Sequence, residues 1–487
     1  MNRSGVTVTG IGGGSVAINV QNLRLGEEFS GSFIRAGISS ESTNSEAQAG
    51  DIVINVEEKI LLNDSRISNS VSGIGNSGNI LINTSSLEIS GDSGVFTTIF
   101  GRGNAGTINI TASEDITINN FSTIGSFINP DGEGNAGEVN ISATNLNLTN
   151  GGGIFVDRAV NITASGDVNL DGETSFELPS RITSNIPSSG IEKNLGEVTI
   201  SATNLNLTNG GEIFSEGDID ITASGDVNLD GETSVGSPSR ITSRVFSEAE
   251  ESLGEVRISA TNLNLANGAE VLAEGDIDIT ASGDVNLDGE TLNATSSNIS
   301  NSNLSDRDRG EINISTANLN LFNGGNIRVA TFNNSDVKGI NVVASGDVNV
   351  DGENSSGFAS GINSLIGTDA VSNSGEINID TTNLTLTNGG RVSSETRGRQ
   401  DSSSLNIDAD FIKVDGINSG VFNLTGSIGN SGAVNINTSN LAVQNNAEVS
   451  VSNFIATELR IENLIDESGN FVRDSQGNPI ATIIPVF

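Results

Sequence analysis

The sequence predicts an all-β fold: a single-stranded parallel β-helix, a solenoid of about sixteen coils with three short strands per coil. Three observations predict it. One segment recurs along most of the chain. Each copy alternates apolar and polar residues with the period of a strand. Gly, Asn and Asp punctuate every copy where a coil must turn.

The recurrence is plain to the eye. GEVNISATNLNLTNGG begins at Gly137, GEVTISATNLNLTNGG at Gly196, GEVRISATNLNLANGA at Gly254 and GEINISTANLNLFNGG at Gly310. GEINIDTTNLTLTNGG and GAVNINTSNLAVQNNA follow at Gly375 and Gly432, and looser copies start at Gly14, Gly50, Gly78 and Gly106. Between them runs a second series, with GDVNLDGETS at Gly166 and Gly225, GDVNLDGET at Gly283 and GDVNVDGENS at Gly346. The large period is roughly 56 to 65 residues, in two unequal halves, and half-units near 30 residues are of solenoid length.

Each half-unit reads as three strands. In the first type these are VNIS, LNL and GIFV. Alternation points Val139, Ile141, Leu146, Leu148, Ile154 and Val156 inward, with Asn140, Ser142 and Asn147 outward. In the second type they are VNIT, VNL and, after a loop, RITS from Arg181. A β-propeller is the alternative, but blades need antiparallel hairpins and usually aromatic signatures, and both are scarce here. The repeats are placed at 1–457, and a final coil with a hairpin-like cap at 458–487. That cap is expected to turn at Gly477–Asn478, with Pro479 and Pro485 discouraging further pairing.

Turn chemistry sharpens the picture. Asn145, Asn204, Asn262, Asn318, Asn383 and Asn440 precede the second strand, and Asn tolerates the left-handed conformation of a sharp corner. Asp167, Asp226 and Asp284 take about the same corner in the other half-unit. If the half-units alternate along the axis, these carboxylates sit about 9.6 Å apart rather than 4.8 Å. That is near one Debye length at physiological salt, which favours a two-coil period in so acidic a chain.

Bulk composition agrees. As ordinary globular domains, 487 residues would suggest about three. Yet the chain holds 59 Gly, 18 Phe, 6 Pro and no Cys, His, Trp or Tyr, and shows no sustained helical periodicity. The formal net charge of -39 argues against nucleic acid and anionic membrane as partners. No run approaches a membrane-spanning helix. Without Cys there is no disulfide and no thiolate chemistry.

Glycine-flanked openings such as GNAGTINITA from Gly103, GNAGEVNISA from Gly134 and GNSGAVNINT from Gly429 resemble the large filamentous-haemagglutinin-like exoproteins of cyanobacteria, the passengers of two-partner secretion. The resemblance covers nearly the whole chain. It implies a right-handed β-helix, export through a partner outer-membrane barrel, and a secreted or cell-surface role in adhesion or aggregation, with a cell-surface or glycan ligand. The start, MNRSGVTVTG, departs from that pattern by lacking an apolar signal core. The only Asn-Pro pairs are Asn129–Pro130 and Asn478–Pro479, so the family's N-P-N type secretion motif is not found. The chain is therefore expected to be the repeat part of a larger protein or the product of a truncated open reading frame.

The letters D-x-N-x-D-G in GDVNLDGETS invite a calcium reading. Asp167, Asn169, Asp171 and Gly172 match the first half of an EF-hand loop. The bidentate Glu at position 12 is missing: Leu178, Ser237, Thr295 and Phe358 stand there. Val168 and Leu170 also alternate with the polar residues, as in a strand. Strand plus Asp-Gly turn is the reading adopted, with a weak cation site between coils as the alternative.

No catalytic, cofactor-binding or metal-ligating residue is assigned, and no cofactor is expected. The sharpest break in the repeat, Asp306, Arg307, Asp308 and Arg309, reads as a solvated loop, as does the RGRQD stretch at Arg397. Without His there is no ordinary proton shuttle at neutral pH. Ice binding wants a regular Thr ladder, which the mixed outward positions do not offer. Phe155, Phe214 and Leu272 should point outward from the third strand every second coil, either covered by loops or forming a docking stripe. From Arg328 onward that position turns polar. The expectation is a non-enzymatic extracellular stalk or adhesin segment. The alternatives are a polysaccharide-acting β-helix enzyme and a cation-binding surface repeat protein.

Overall fold

The computed structural model describes residues 4–26, 32–39, 42–43, 47–174, 176–185, 196–246, 253–303, 309–332, 336–368, 370, 372, 374–397, 400–426, 429–453, 458–463 and 481–486. Among these residues there is no helix. Each strand pairs in parallel with its own copy one coil further on. Val139 lies opposite Val160 in the first strands, Leu146 opposite Val168 in the second, and Ile154 opposite Ile182 in the third. The third strands form one 16-stranded sheet, and the first and second strands together form a 26-stranded one.

A leading third strand, Ser4–Gly10, precedes the first complete coil. Fifteen complete coils follow among the described residues, from Val16 to Asn453, against the sixteen or so expected. From Val337–Asp351 onward the first and second strands run together as one long strand, with a register shift between Ala344 and Asp347.

Alternation explains the core. Val139, Ile141, Leu146, Leu148, Ile154 and Val156 are all buried, as the pattern predicts. Each apolar residue stacks on its counterpart in the neighbouring coils, so one hydrophobic cluster runs from Val16 to Val421. Burying one such side chain contributes about 1.5–3 kcal/mol.

One inward position breaks the apolar rule. Thr97, Ser126, Ser243 and Asn301 are buried in the third strand, two residues after an inward Val or Ile. Each holds the backbone of the turn that closes a coil. Thr97 Oγ1 donates to the Gly106 carbonyl at 2.9 Å, and Ser126 Oγ accepts the Gly137 N–H at 2.8 Å. Ser243 Oγ and Asn301 Nδ2 donate to the Gly217 and Gly275 carbonyls, both at 2.7 Å. The turns carry backbone groups that no strand partner satisfies, so a buried hydroxyl or amide outdoes a methyl there.

The corner expectation needs correcting. Asn145, Asn204, Asn262, Asn318, Asn383 and Asn440 are not among the residues of positive φ. Left-handed Asn occurs instead after the second strand, at Asn150, Asn209, Asn267, Asn323, Asn388 and Asn445, with φ between 49° and 55°. The bend between first and second strands is gentle enough that Asn204 and Asn318 already belong to strands. The sharp reversal falls one strand later, in the TNG and ANG stretches.

Beyond the coils, Glu458–Asn463 pairs antiparallel with Ala481–Val486, a separate two-stranded sheet in which Pro485 faces Leu459. The expected turn at Gly477–Asn478 lies outside the described residues, as do the loops at 186–195 and 247–252.

Replacing Ser243 by Ala leaves the Gly217 carbonyl without its buried donor. A stability loss of about 1–3 kcal/mol is expected, read as a lower melting temperature or denaturation midpoint. An unchanged midpoint would mean that the turn is held by other means.

Candidate functional site

The residues of GDVNLDG have their partners in the structure, and those partners are other coils. Asn145 Nδ2 donates to Asp115 Oδ1, and Asn145 Oδ1 accepts the N–H of Asp167, both at 2.8 Å. Asn204 then donates to Asp167 Oδ1 and accepts the N–H of Asp226. Asn262, Asp284, Asn318, Asp347 and Asn383 continue the same alternation at 2.7–2.9 Å. Carboxylate and amide thus occupy alternate coils, as the charge argument required. The amide does more than space the charges, because it bridges the carboxylate below and the backbone above. The glycine before each Asp makes room: a Cβ on Gly166 or Gly225 would stand 2.3 or 2.4 Å from the Asn145 or Asn204 Oδ1.

The middle residue joins a second ladder. Asn147, Asn169, Asn206, Asn228, Asn264, Asn286, Asn320 and Asn349 pass one amide hydrogen bond from coil to coil at 2.8–2.9 Å. The second Asp secures the sharp corner. Asp171 accepts Thr208 Oγ1 at 2.6 Å and Asn209 Nδ2 at 2.8 Å. Asp230, Asp288 and Asp351 take the left-handed Asn267, Asn323 and Asn388 in the same way. At the last such corner, hydrogen bonds from Asn445, Gln444 and Lys413 hold the Asp415 carboxyl down at about 2.

Asp167, Asn169 and Asp171 are therefore committed to hydrogen bonds between coils. Among the described residues no group of three or more acidic side chains is placed to hold a metal ion. Leu178, Ser237, Thr295 and Phe358 lie instead in hairpins that leave the helix after the second strand, each just before the residue that closes its hairpin. Each hairpin closes with an antiparallel bridge, from Glu173 to Pro179, Glu232 to Pro238, Glu290 to Ser296 and Glu353 to Ala359.

These hairpins occur on every second coil and stack on one another. Glu173 Oε1 accepts the Ser234 N–H at 2.8 Å, and Glu232 Oε1 accepts the Leu292 N–H at 2.9 Å, in each case from the next hairpin. Glu290 takes the Ser355 N–H at 3.2 Å. Asn354 Nδ2 ties the fourth hairpin to the third through the Ala294 carbonyl and Ser296 Oγ. The result is a wall along the rod with apolar tips, including Phe176, Leu292 and Phe358 at 74, 95 and 67% exposure.

The third-strand face lies within reach of this wall. Phe155, Phe214 and Leu272 do point outward, separated by Thr183 and Thr242, and all three are half-buried. Arg181 covers Phe155, its guanidinium carbon 4.6 Å from the ring centroid, and Phe246 stacks on Phe214 at 5.9 Å. Side chains from the same face thus cover two of the three. The flanking outward position alternates in charge: Arg181, Glu212, Arg240, Glu270. Arg240 Nε donates to Glu212 Oε1 at 3.0 Å. Burial raises the Glu270 carboxyl above its usual range, against the lowering effects of the Asn298 hydrogen bond and Arg240.

Further along this face a groove of about 520 Å³ opens between the third strands and the hairpins. Its floor carries Ser300, Arg328, Asn363 and Ser393 in successive coils, and Phe358 belongs to its side. Of the sequence's loop candidates, Asp306, Arg307 and Asp308 lie outside the described residues. Arg397 donates Nε to Glu395 Oε1 at 2.6 Å.

The repeat reading missed Arg257. It stands opposite Asp220 and Asp278 on the first-strand face, with Asp218 and Glu255 also within ion-pair distance. Burial pushes the Asp218 carboxyl up while Arg257 pulls it down. Column-by-column comparison of the repeats isolates Arg257, since Thr199, Asp220, Asp278 and Asn313 hold the same place in other coils. No protein-family model matches the chain, and comparison with curated proteins and with solved structures gives no significant match.

Two tests follow from the ladder. Asn204→Asp would place three carboxylates on consecutive coils about 4.8 Å apart. A loss of about 1–4 kcal/mol at pH 7 is expected, shrinking in high salt and below the carboxylate range, where protonation removes the repulsion. A salt-independent loss would mean that the missing amide, not the charge, is what matters. Calcium titration should give no more heat, and no higher melting temperature, than potassium chloride of equal ionic strength. A saturable isotherm specific to calcium would show that the Asp rows collect metal in addition to holding the coils.

Proposed function

We propose that the chain is a non-enzymatic, rigid β-helical stalk or adhesin segment of a secreted haemagglutinin-like protein, working at a cell surface. The observation that carries this reading is the continuous parallel stacking of coils from Val16 to Asn453, reinforced outside the core by amide ladders. Such a rod transmits position and force over a long distance. Fifteen coils span roughly 70 Å at the usual strand spacing. The glycine-flanked repeats that resemble two-partner-secretion passengers support the same reading, with export through a partner barrel. The net charge of -39 suits a soluble surface protein and disfavours nucleic acid as a partner.

The reading is tested by coating beads with the purified chain and measuring attachment to cells and to glycan-coated surfaces. Soluble polysaccharides incubated with the same chain are assayed for cleavage. Saturable attachment that free chain competes away, with no new chain ends, is the expected result. Cleavage would replace the stalk with an enzyme, and absence of attachment to any surface would remove the adhesin role.

A further inference from the structure

The groove on the third-strand face contains a charge that no described residue answers. Arg328 points outward between Ser300 and Asn363 of the neighbouring coils, and it is largely buried. Its Nε is buried without a hydrogen-bond partner. Among the described residues no carboxylate lies within ion-pair distance of its guanidinium, although acidic residues outnumber basic ones 61 to 22. Its recorded contact is with the Phe332 ring, whose centroid is 5.8 Å away. The other arginine lining the groove, Arg391, is engaged with the Asn418 carbonyl at 3.1 Å, and the bordering Glu395 is taken by Arg397. A guanidinium cannot shed its proton, so burying it without an anion is costly.

A second orphan lies beside it. Asn326 Oδ1, two residues away on the same strand, is a buried acceptor without a donor. One unanswered cation and one unanswered acceptor thus face a single groove whose volume suits a small-molecule site. We propose that this groove binds an acidic saccharide, with the carboxylate of a uronate-type residue on Arg328 and a sugar hydroxyl donating to Asn326 Oδ1.

Three features select that chemistry. First, Arg328 offers one charge, and its planar fork matches one carboxylate. Second, Glu270 and Glu395 border the groove, so a doubly charged group such as a phosphate monoester is repelled more than a single carboxylate. Third, the remaining lining is mixed in the way a sugar ring is mixed. Asn363 and Ser393 present amide and hydroxyl groups, while Leu272 and Phe358 present apolar surface. The fourth hairpin is tied to the third through Asn354, so the wall beside the site is held in place. The inference goes beyond the stalk reading and stands wherever the rod is deployed.

Calorimetric titration of the full chain with trigalacturonate at low ionic strength tests it, beside the uncharged galactotriose and the variant Arg328→Gln. Saturable trigalacturonate binding is expected, at least tenfold weaker in the variant, with no saturable galactotriose binding. The ligand-free variant should melt at the same temperature as the parent or higher, because an unpaired buried charge has been removed. Absence of saturable trigalacturonate binding, or equal binding to the variant, overturns the proposal. So does a variant that melts several degrees lower without ligand, which would make Arg328 a structural residue. Inorganic sulfate competing as well as trigalacturonate would also overturn it, by revealing a general anion site.

Discussion

A parallel β-helix places every outward side chain directly against its counterpart in the next coil, about 4.8 Å away. A side chain in such a rod must therefore tolerate a copy of itself. Ile, Val and Leu do so by stacking inside. Asn does so outside, because one amide carries both a donor and an acceptor and can pass a hydrogen bond along indefinitely. The run from Asn147 to Asn349 is that solution in its simplest form. Asp has no donor when ionised, so two stacked Asp side chains cannot bond to each other, as where Asp408 stands opposite Asp380. In the GDVNLDG coils the chain sets Asn204 between Asp167 and Asp226 and Thr208 between Asp171 and Asp230, and the two-coil repeat of these columns answers that need.

The same constraint shapes what leaves the rod. Hairpins on consecutive coils would have to fit within one strand spacing. On alternate coils they stand two spacings apart, and the Glu173, Glu232 and Glu290 carboxylates reach across to backbone N–H groups of the next hairpin. The turns that close each coil follow a third version of the rule. Their polar groups face the interior, so the interior supplies Thr97, Ser126, Ser243 and Asn301 to meet them.

The sequence made the fold legible because self-complementary stacking leaves a period. Repeat boundaries, strand order, the inward residues of coil Val139–Val156 and the alternation of Asn with Asp could all be read directly. Conformation at the corners could not. Asn145 and Asn150 both look like corner residues, and which of them turns left-handed depends on where the sheet bends, a tertiary property. The polar interior column was hidden because Ser and Thr alternate with apolar residues on both faces alike. Contacts between hairpins were also beyond reach, since Glu173 and Ser234 lie in different repeats. The candidate groove was visible only as a change of pattern at Arg328. That the arginine has no carboxylate partner among the described residues becomes apparent only when its neighbours along the rod axis are known.

The alternation also sets the step by which such a gene can change length. Deleting or duplicating one coil would bring Asp beside Asp or Asn beside Asn at the junction, and would break the spacing at which one hairpin's Glu reaches the next. Changing the number by two coils restores every contact at the junction. Unequal crossing-over in the repeats should therefore survive selection mostly in even steps, and natural length variants should differ by pairs of coils. The hydrogen bond between Asn204 and Asp167 thus acts as a parity check on the length of the rod.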